Sequence, residues 1–173
     1  SNDHVFYVTA DNVTIKGFTA TGAGHYKAGI YLYNSDYCRI ENVNASNNRD
    51  GIYLRYSSNN IIANNNVSSN NDDGICLWDS SNNTIANNTA SNNDDGIYLW
   101  YSSNNIIANN TFYLNGMFVF RSYDNTVVNN TVNGKPLVYL ENVNDYVVED
   151  AGQVIAINSK NITIKDLNLS YTS

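Results

Sequence analysis

Proline and methionine each occur once in this chain, and histidine and cysteine twice each. Two cysteines, Cys38 and Cys76, cannot build a metal cluster, and two histidines offer little for proton-transfer chemistry. Charged residues are also sparse, at 14% of 173 residues, with a net charge of −7 and no block of Lys or Arg. Nucleic acid and anionic membrane surfaces both demand a basic face, so neither is expected as a partner. No apolar run approaches the roughly 20 residues of a membrane span, which excludes insertion as a helix. No signal peptide is present. The chain opens on Ser1-Asn2 and stops just after LNLSYTS, where another turn is due, so residues 1–173 are expected to be one domain cut from a longer solenoid.

What the chain has instead is asparagine, 34 residues of it, with 14 Tyr, 5 Phe and 2 Trp. Asparagine favours neither helix interiors nor ordinary strands. The aromatic content and regularly placed Ile, Val and Leu nevertheless separate the chain from disordered sequences. The order lies in repetition. NDDGICLWDSSNNTIANN, from Asn71 to Asn88, returns as NDDGIYLWYSSNNIIANN, from Asn93 to Asn110. Gly29, Gly51, Gly74, Gly96 and Gly116 open equivalent segments at spacings of 22, 23, 22 and 20. Weaker copies are read at Val5–Gly24, Leu137–Ala151 and Val154–Ser173. A period near 22 residues suits a leucine-rich repeat or a parallel β-helix. Leucine ladders and helix formers are missing here, and each unit reads as short apolar alternations between Asn, Ser and Asp. The expected fold is all-β, a right-handed parallel β-helix of about eight coils, its handedness following the general rule for β crossovers.

Alternation assigns the faces. Ile30/Leu32, Ile52/Leu54, Ile75/Leu77, Ile97/Leu99 and Met117/Val119 point inward. A second inward column runs through Ile15, Ile40, Ile62, Ile85, Ile107, Val127, Val148 and Ile164. In each SSNNxIxNN unit one Asn of every pair is expected to face inward, giving ladders Asn60/Asn83/Asn105/Asn125 and Asn65/Asn88/Asn110/Asn130. Stacked amides satisfy one another from coil to coil. Toward the ends these positions turn apolar, at Val13, Cys38, Phe18 and Val43 and at Tyr146, Ala151, Ile162 and Leu167, which avoids stranded buried amides. Cys38 inward and Cys76 outward, two coils apart, are too distant for a disulfide.

The outward face of the GIYLW strands stacks Tyr31, Tyr53, Cys76, Tyr98, Phe118 and Tyr139, beside Tyr33, Arg55, Trp78, Trp100, Phe120 and Glu141. So many outward aromatics form an apolar surface beyond the norm for a monomer. They read as a sugar platform, with Asn34, Tyr56, Asp79, Tyr101 and Arg121 alongside to bond hydroxyls. Two structural readings stand beside that one: aromatics are good strand formers that stack on one another, or the face packs under a neighbouring domain of the same chain. Asp50, Asp73 and Asp95 align in NRDG, NDDG and NDDG, with Asp72 and Asp94 adjacent. Carboxylates at a coil spacing repel, so the column is either a calcium site or a solvated Asp-Gly turn.

VTADNVTIKGFTATG, the GIYLxxSSNNxIxNN units and GKPLVYLENV followed by DAGQVIAINSKNITIKDLNLS resemble the NosD-like parallel β-helix repeat proteins. These are carbohydrate-binding and sugar-hydrolase-type β-helices, abundant in archaeal surface and periplasmic proteins. The resemblance implies an extracellular, cell-surface or periplasmic module. Its expected role is carbohydrate binding or structural display without catalysis in this segment, with polysaccharide or a cell-surface glycan as partner. The ligand-binding residues are then Tyr31, Tyr33, Tyr53, Trp78, Tyr98, Trp100, Phe120, Asp79, Tyr101 and Arg121. The alternative is a polysaccharide-active enzyme of lyase, epimerase or hydrolase type, for which Asp79, Tyr101 and Arg121 are neighbours on the face. The resemblance also carries a copper-related accessory role. Copper wants clustered Cys, Met or His, and His4, His25, Met117, Cys38 and Cys76 are scattered over different coils.

Overall fold

Each repeat folds as three strands of two to four residues because left-handed residues interrupt it at fixed places. In the doubled Asn pairs the first member takes positive φ, as at Asn59 (60°), Asn64 (58°), Asn82 (59°), Asn87 (57°), Asn104 (57°) and Asn109 (57°). Asparagine tolerates that conformation better than most residues, since its short polar side chain bonds locally. The chain turns there, and the second Asn of the pair is carried inward. One Asn makes the corner and the next fills it.

The computed structural model describes residues 3–170, and among them there is no helix. Three parallel sheets form the walls. The first stacks Phe6–Val8, Ile30–Tyr33, Ile52–Arg55, Ile75–Trp78, Ile97–Trp100 and Met117–Phe120. The second runs from Thr14–Lys16 to Thr126–Val128, and the third from Thr19–Thr21 to Thr131–Val132. Pairing is in register, so Ile52 meets Ile30 and Ile75, and Ile85 meets Ile62 and Ile107. A one-residue slip would expose every core residue of a coil, and the repeated pattern forbids it. The core is a continuous column of these Ile and Leu residues, completed from the third wall by Ala20, Ala45, Val67, Ala90, Phe112 and Val132.

Both expected ladders are present and inward. Asn65 N–H and Nδ2 both donate to Asn88 Oδ1, at 2.9 and 3.0 Å. Asn88 repeats the pair of bonds to Asn110, and Asn110 to Asn130. In the other column the backbone N–H groups of Asn60, Asn83 and Asn105 donate to the next Asn at 2.8, 2.8 and 2.9 Å. Cys38 and Val43 begin the ladders by donating their N–H groups to Asn60 and Asn65. Two ladders escaped the sequence reading. Asn48, Asn70, Asn93 and Asn115 form a third buried column after the third wall. Ser35, Ser57, Ser80, Ser102 and Ser122 form a fourth, the N–H of each of the first four reaching the next hydroxyl at 2.8–3.1 Å.

Several end positions differ from expectation. Phe18 and Tyr146 are exposed, not inward, and Ile164 is 49% exposed. The solenoid has about six coils, not eight. After Val132 the chain reverses through Asn133 (φ 51°) and Gly134 (φ 81°), so Val132 pairs antiparallel with Lys135. Two consecutive residues at positive φ are what a tight hairpin turn requires. The last two copies then pair with each other, Lys135–Glu141 with Gln153–Ile157 and Asn144–Val148 with Lys160–Ile164. They bury a small core of their own around Leu140, Val148 and Ala151. A polar cap is also present. The Gln153 side chain accepts from Met117 N–H and donates to Met117 O, both at 2.9 Å, covering the last strand of the first wall. Cys38 and Cys76 are free, as their placement requires.

Candidate functional site

The first wall presents its alternate side chains outward, and the serine ladder fixes where each strand ends. Every Ser hydroxyl also donates to the carbonyl two residues back, at Tyr33, Arg55, Trp78, Trp100 and Phe120. On this fixed frame the aromatic rings form two blocks. Tyr7, Tyr31 and Tyr53 stack at 5.4 and 5.0 Å between centroids, with His4 on Tyr31 at 4.6 Å. Trp78 stacks on Trp100 at 5.2 Å and Trp100 on Phe120 at 4.1 Å, while Tyr98 lies on Phe118 at 5.0 Å. Most of these rings are half-buried against one another, with Tyr7, Tyr33 and Phe118 exposed.

The strip's edge holds residues in an uncomfortable conformation. Tyr56 (φ 51°), Tyr101 (48°) and Arg121 (47°) occupy the left-handed region that Asn34 and Asp79 take in other coils. A bulky residue there costs roughly 1–2 kcal/mol. Arg121 Nη1 donates to Tyr101 Oη at 2.5 Å, and its guanidinium lies over the Tyr101 and Phe120 rings. Asp79 is exposed and makes no ion pair with Arg121 among the described residues.

Between the two blocks Cys76 replaces the ring, and a cavity of about 180 Å³ opens behind it. It is bordered by Tyr53, Trp78 and Tyr98 on the strip side and by Asp50, Asp73 and Asp95 on the other. The structure thus brings the aspartate column together. Asp50 and Asp73 are only 3% and 5% exposed. Burial, with the charges of Asp50, Asp72 and Asp95, pushes the Asp73 carboxyl up to about 8. Burial raises Asp50 and Asp95 to about 6, Asp50 against the opposing pull of Arg49. The Cys76 thiol is pushed up by its burial and by the same carboxylates, and Tyr98 by burial to about 12. Among the described residues no three His, Cys, Asp or Glu side chains are grouped to hold a metal ion.

Beyond the slot lies a feature that the sequence reading missed. Arg49 binds Asp72 through both Nε and Nη2, at 3.0 and 2.8 Å, and this pair divides the slot from a hollow of about 540 Å³. Its far wall is the loop carrying His25 and Tyr26.

Stacked parallel coils with inward amide ladders define the chain as a parallel β-helix repeat protein. It belongs to the NosD family, described as periplasmic copper-binding protein (NosD), whose profile matches residues 1–155. No curated protein sequence matches the chain. Among solved structures it is similar to an alginate lyase from Paenibacillus sp. str. FPU-7, at 16% identity and a TM-score of 0.62, covering 95% of this chain and 89% of that one. It is also similar to the periplasmic alginate epimerase AlgG, at 18% identity and a TM-score of 0.56, covering 93% of this chain and 42% of that one. A variant of the same epimerase gives 21% identity and a TM-score of 0.57, with 92% and 41% coverage. This chain therefore spans less than half the epimerase, and identities this low establish the shared fold alone. The residues do not fit copper. His4 accepts the Ala28 N–H and stacks on Tyr31, His25 lies on Tyr26, Met117 is in the core, and the two cysteines are buried on different coils. No helix among the described residues is long and apolar enough to cross a membrane.

Proposed function

We propose that the chain is an extracytoplasmic polysaccharide-binding solenoid, with the polymer lying along the first wall over Trp78, Trp100 and Phe120. The observation that carries this reading is the near-parallel ring stack, 5.2 and 4.1 Å between centroids, on a rigid surface open to solvent at its edge. Because the rings cover one another's faces, a pyranose would lie across their apolar edges, while Tyr101 and Arg121 keep strained positions beside them, as residues retained for contact do. Tyr31, Tyr33, Tyr53 and Tyr98 extend the strip, and Asp79 adds an acceptor. Electrophoresis through gels containing alginate, pectate, xylan, glucomannan or chitosan tests the reading. At least one polymer should retard the protein, and Trp78→Ala/Trp100→Ala should abolish the retardation. Retardation by none, or equal retardation of the double variant, sinks it.

A second reading, polysaccharide cleavage or epimerisation, draws on the slot. A carboxyl that keeps its proton at neutral pH beside one that has lost it is an acid–base pair, and here it interrupts the aromatic strip. New reducing ends or unsaturated products from the retarding polymer, lost in Asp73→Asn, would favour this reading over binding alone.

A further inference from the structure

Repeats copy residues wholesale, so departures from the repeat are where a binding function is grafted. Two departures coincide at one corner. Between Thr19–Thr21 and Ile30–Tyr33 the chain spends eight residues, where later coils spend five, six, five and three. The extra length carries His25 and Tyr26. One coil on, NRDG stands where the following copies read NDDG, so Arg49 occupies the place of Asp72 and Asp94.

Both departures face the same hollow of about 540 Å³, within the range of small-molecule sites. Its walls are fixed. Ala23 N–H donates to Asn48 Oδ1, Arg49 N–H to Lys27 O, and Asp72 N–H to Arg49 O, at 3.0, 3.1 and 2.8 Å. Tyr26 is held at φ 62° and is 72% exposed, and the Arg49 guanidinium lies 5.8 Å from its ring centroid. Asn47 and Asn71 complete the polar lining.

The charge balance selects the ligand. Arg49 is already engaged on Asp72 and stands next to Asp50, and Lys27 lies 3.8 Å from Asp3. Arg49 is the single Lys or Arg among the described residues lining the hollow and is already paired, so a carboxylate entering it would meet Asp72 without a free arginine or lysine. An aromatic face beside amides and a fixed arginine–carboxylate pair instead suits an uncharged polyol: the ring takes the C–H face, and the amides and pair take hydroxyls. We propose that this hollow is a second sugar site, distinct from the strip, that takes a neutral pyranose unit and rejects uronates. It rests on the polysaccharide reading only in the class of ligand. The Arg49–Asp72 pair, shared with the slot, separates the hollow from the strip, whose column continues from Trp78 over Arg55 and Tyr33.

Isothermal titration with cellohexaose, mannohexaose and xylohexaose, against hexaguluronate, tests the site. With the strip silenced by Trp78→Ala/Trp100→Ala, a neutral hexasaccharide should still bind and hexaguluronate should not. Tyr26→Ala should weaken the neutral ligand about tenfold or more. Asp72→Ala, by freeing Arg49, should admit hexaguluronate. Circular dichroism confirms that each variant folds. Neutral binding that Tyr26→Ala leaves unchanged while Trp78→Ala/Trp100→Ala abolishes it overturns this site and spares the strip. Hexaguluronate bound by the strip-silenced chain as tightly as any neutral ligand overturns the selectivity, and with it the proposal. Binding of no hexasaccharide overturns it as well.

Discussion

Replacing Asn88 with Leu tests the ladders at their densest point. Asn88 Oδ1 accepts both Asn65 N–H and Asn65 Nδ2, and its own Nδ2 donates to Ile62 O at 2.9 Å and to Asn110 Oδ1 at 3.0 Å. Leucine is close in size and gives none of these bonds. Asn65 N–H is left without an acceptor at a position 3% exposed, which costs about 1–3 kcal/mol. Asn65 Nδ2 keeps Ile40 O but loses its second acceptor, and Ile62 O loses a donor. With these smaller losses, the expected destabilisation is about 2–4 kcal/mol, which lowers Tm by about 5–15 °C in a chain of this length. Thermal melts followed by circular dichroism and urea titrations read it directly. Asn87, the preceding residue, is exposed at φ 57°, so Asn87→Gly should stay within about 0.5 kcal/mol of wild type. An Asn88→Leu melt within about 2 °C of wild type, or an equal loss at Asn87, would refute the division of labour between paired asparagines.

The aspartate slot gives an inverted pH dependence. Asp73 is pushed up to about 8, and Asp50 and Asp95 to about 6, while unfolded carboxyls ionise near 4. The folded chain therefore holds protons that the unfolded chain has released between about pH 4 and 8, and stability falls as pH rises through that window. Tm should climb from pH 8.5 to pH 5, and Asp73→Asn should flatten the climb; calcium that abolished the slope at pH 8 would instead place a cation among Asp50, Asp73 and Asp95. Gly96→Ala puts a Cβ 2.4 Å from Phe112 Cδ1 and 2.7 Å from Gly116 O, so urea titration should show a loss of about 3 kcal/mol. Both cysteines are buried, so Ellman's reagent should detect neither thiol until urea unfolds the chain.

Much of this fold was legible because each coil restates the same pattern. GIYLW alternates cleanly, and Ile97 and Leu99 could only face inward if Tyr98 and Trp100 faced out. The third asparagine column was equally visible as the second Asn of SNNDDG, but the wall before it is built from Ala and Ser, whose burial periodicity does not show. The buried serines hid for a related reason: in SSNN only the first hydroxyl turns inward, and nothing in the residue type distinguishes it from its neighbour. Asn133-Gly134 announced a reversal that the expectation of further coils overrode. The hollow was illegible because Tyr26 belongs to no repeat, and Arg49 reads as a charge in a turn until Asp72 lies beside it.

The near identity of Asn71–Asn88 and Asn93–Asn110 carries a genetic consequence. Ile75 and Ile97 are equivalent in the first wall, as are Gly74 and Gly96 at the turns before them. Misaligned recombination between two such copies deletes or adds one whole coil, and every column meets its proper partner across the junction. Lineages can therefore lengthen or shorten the rod in single steps without passing through a misfolded intermediate. Tyr26 and Arg49 lie outside the duplicated unit, and a deletion that put Asn93 and Asp94 in place of Asn71 and Asp72 would return the same residue types to their corner.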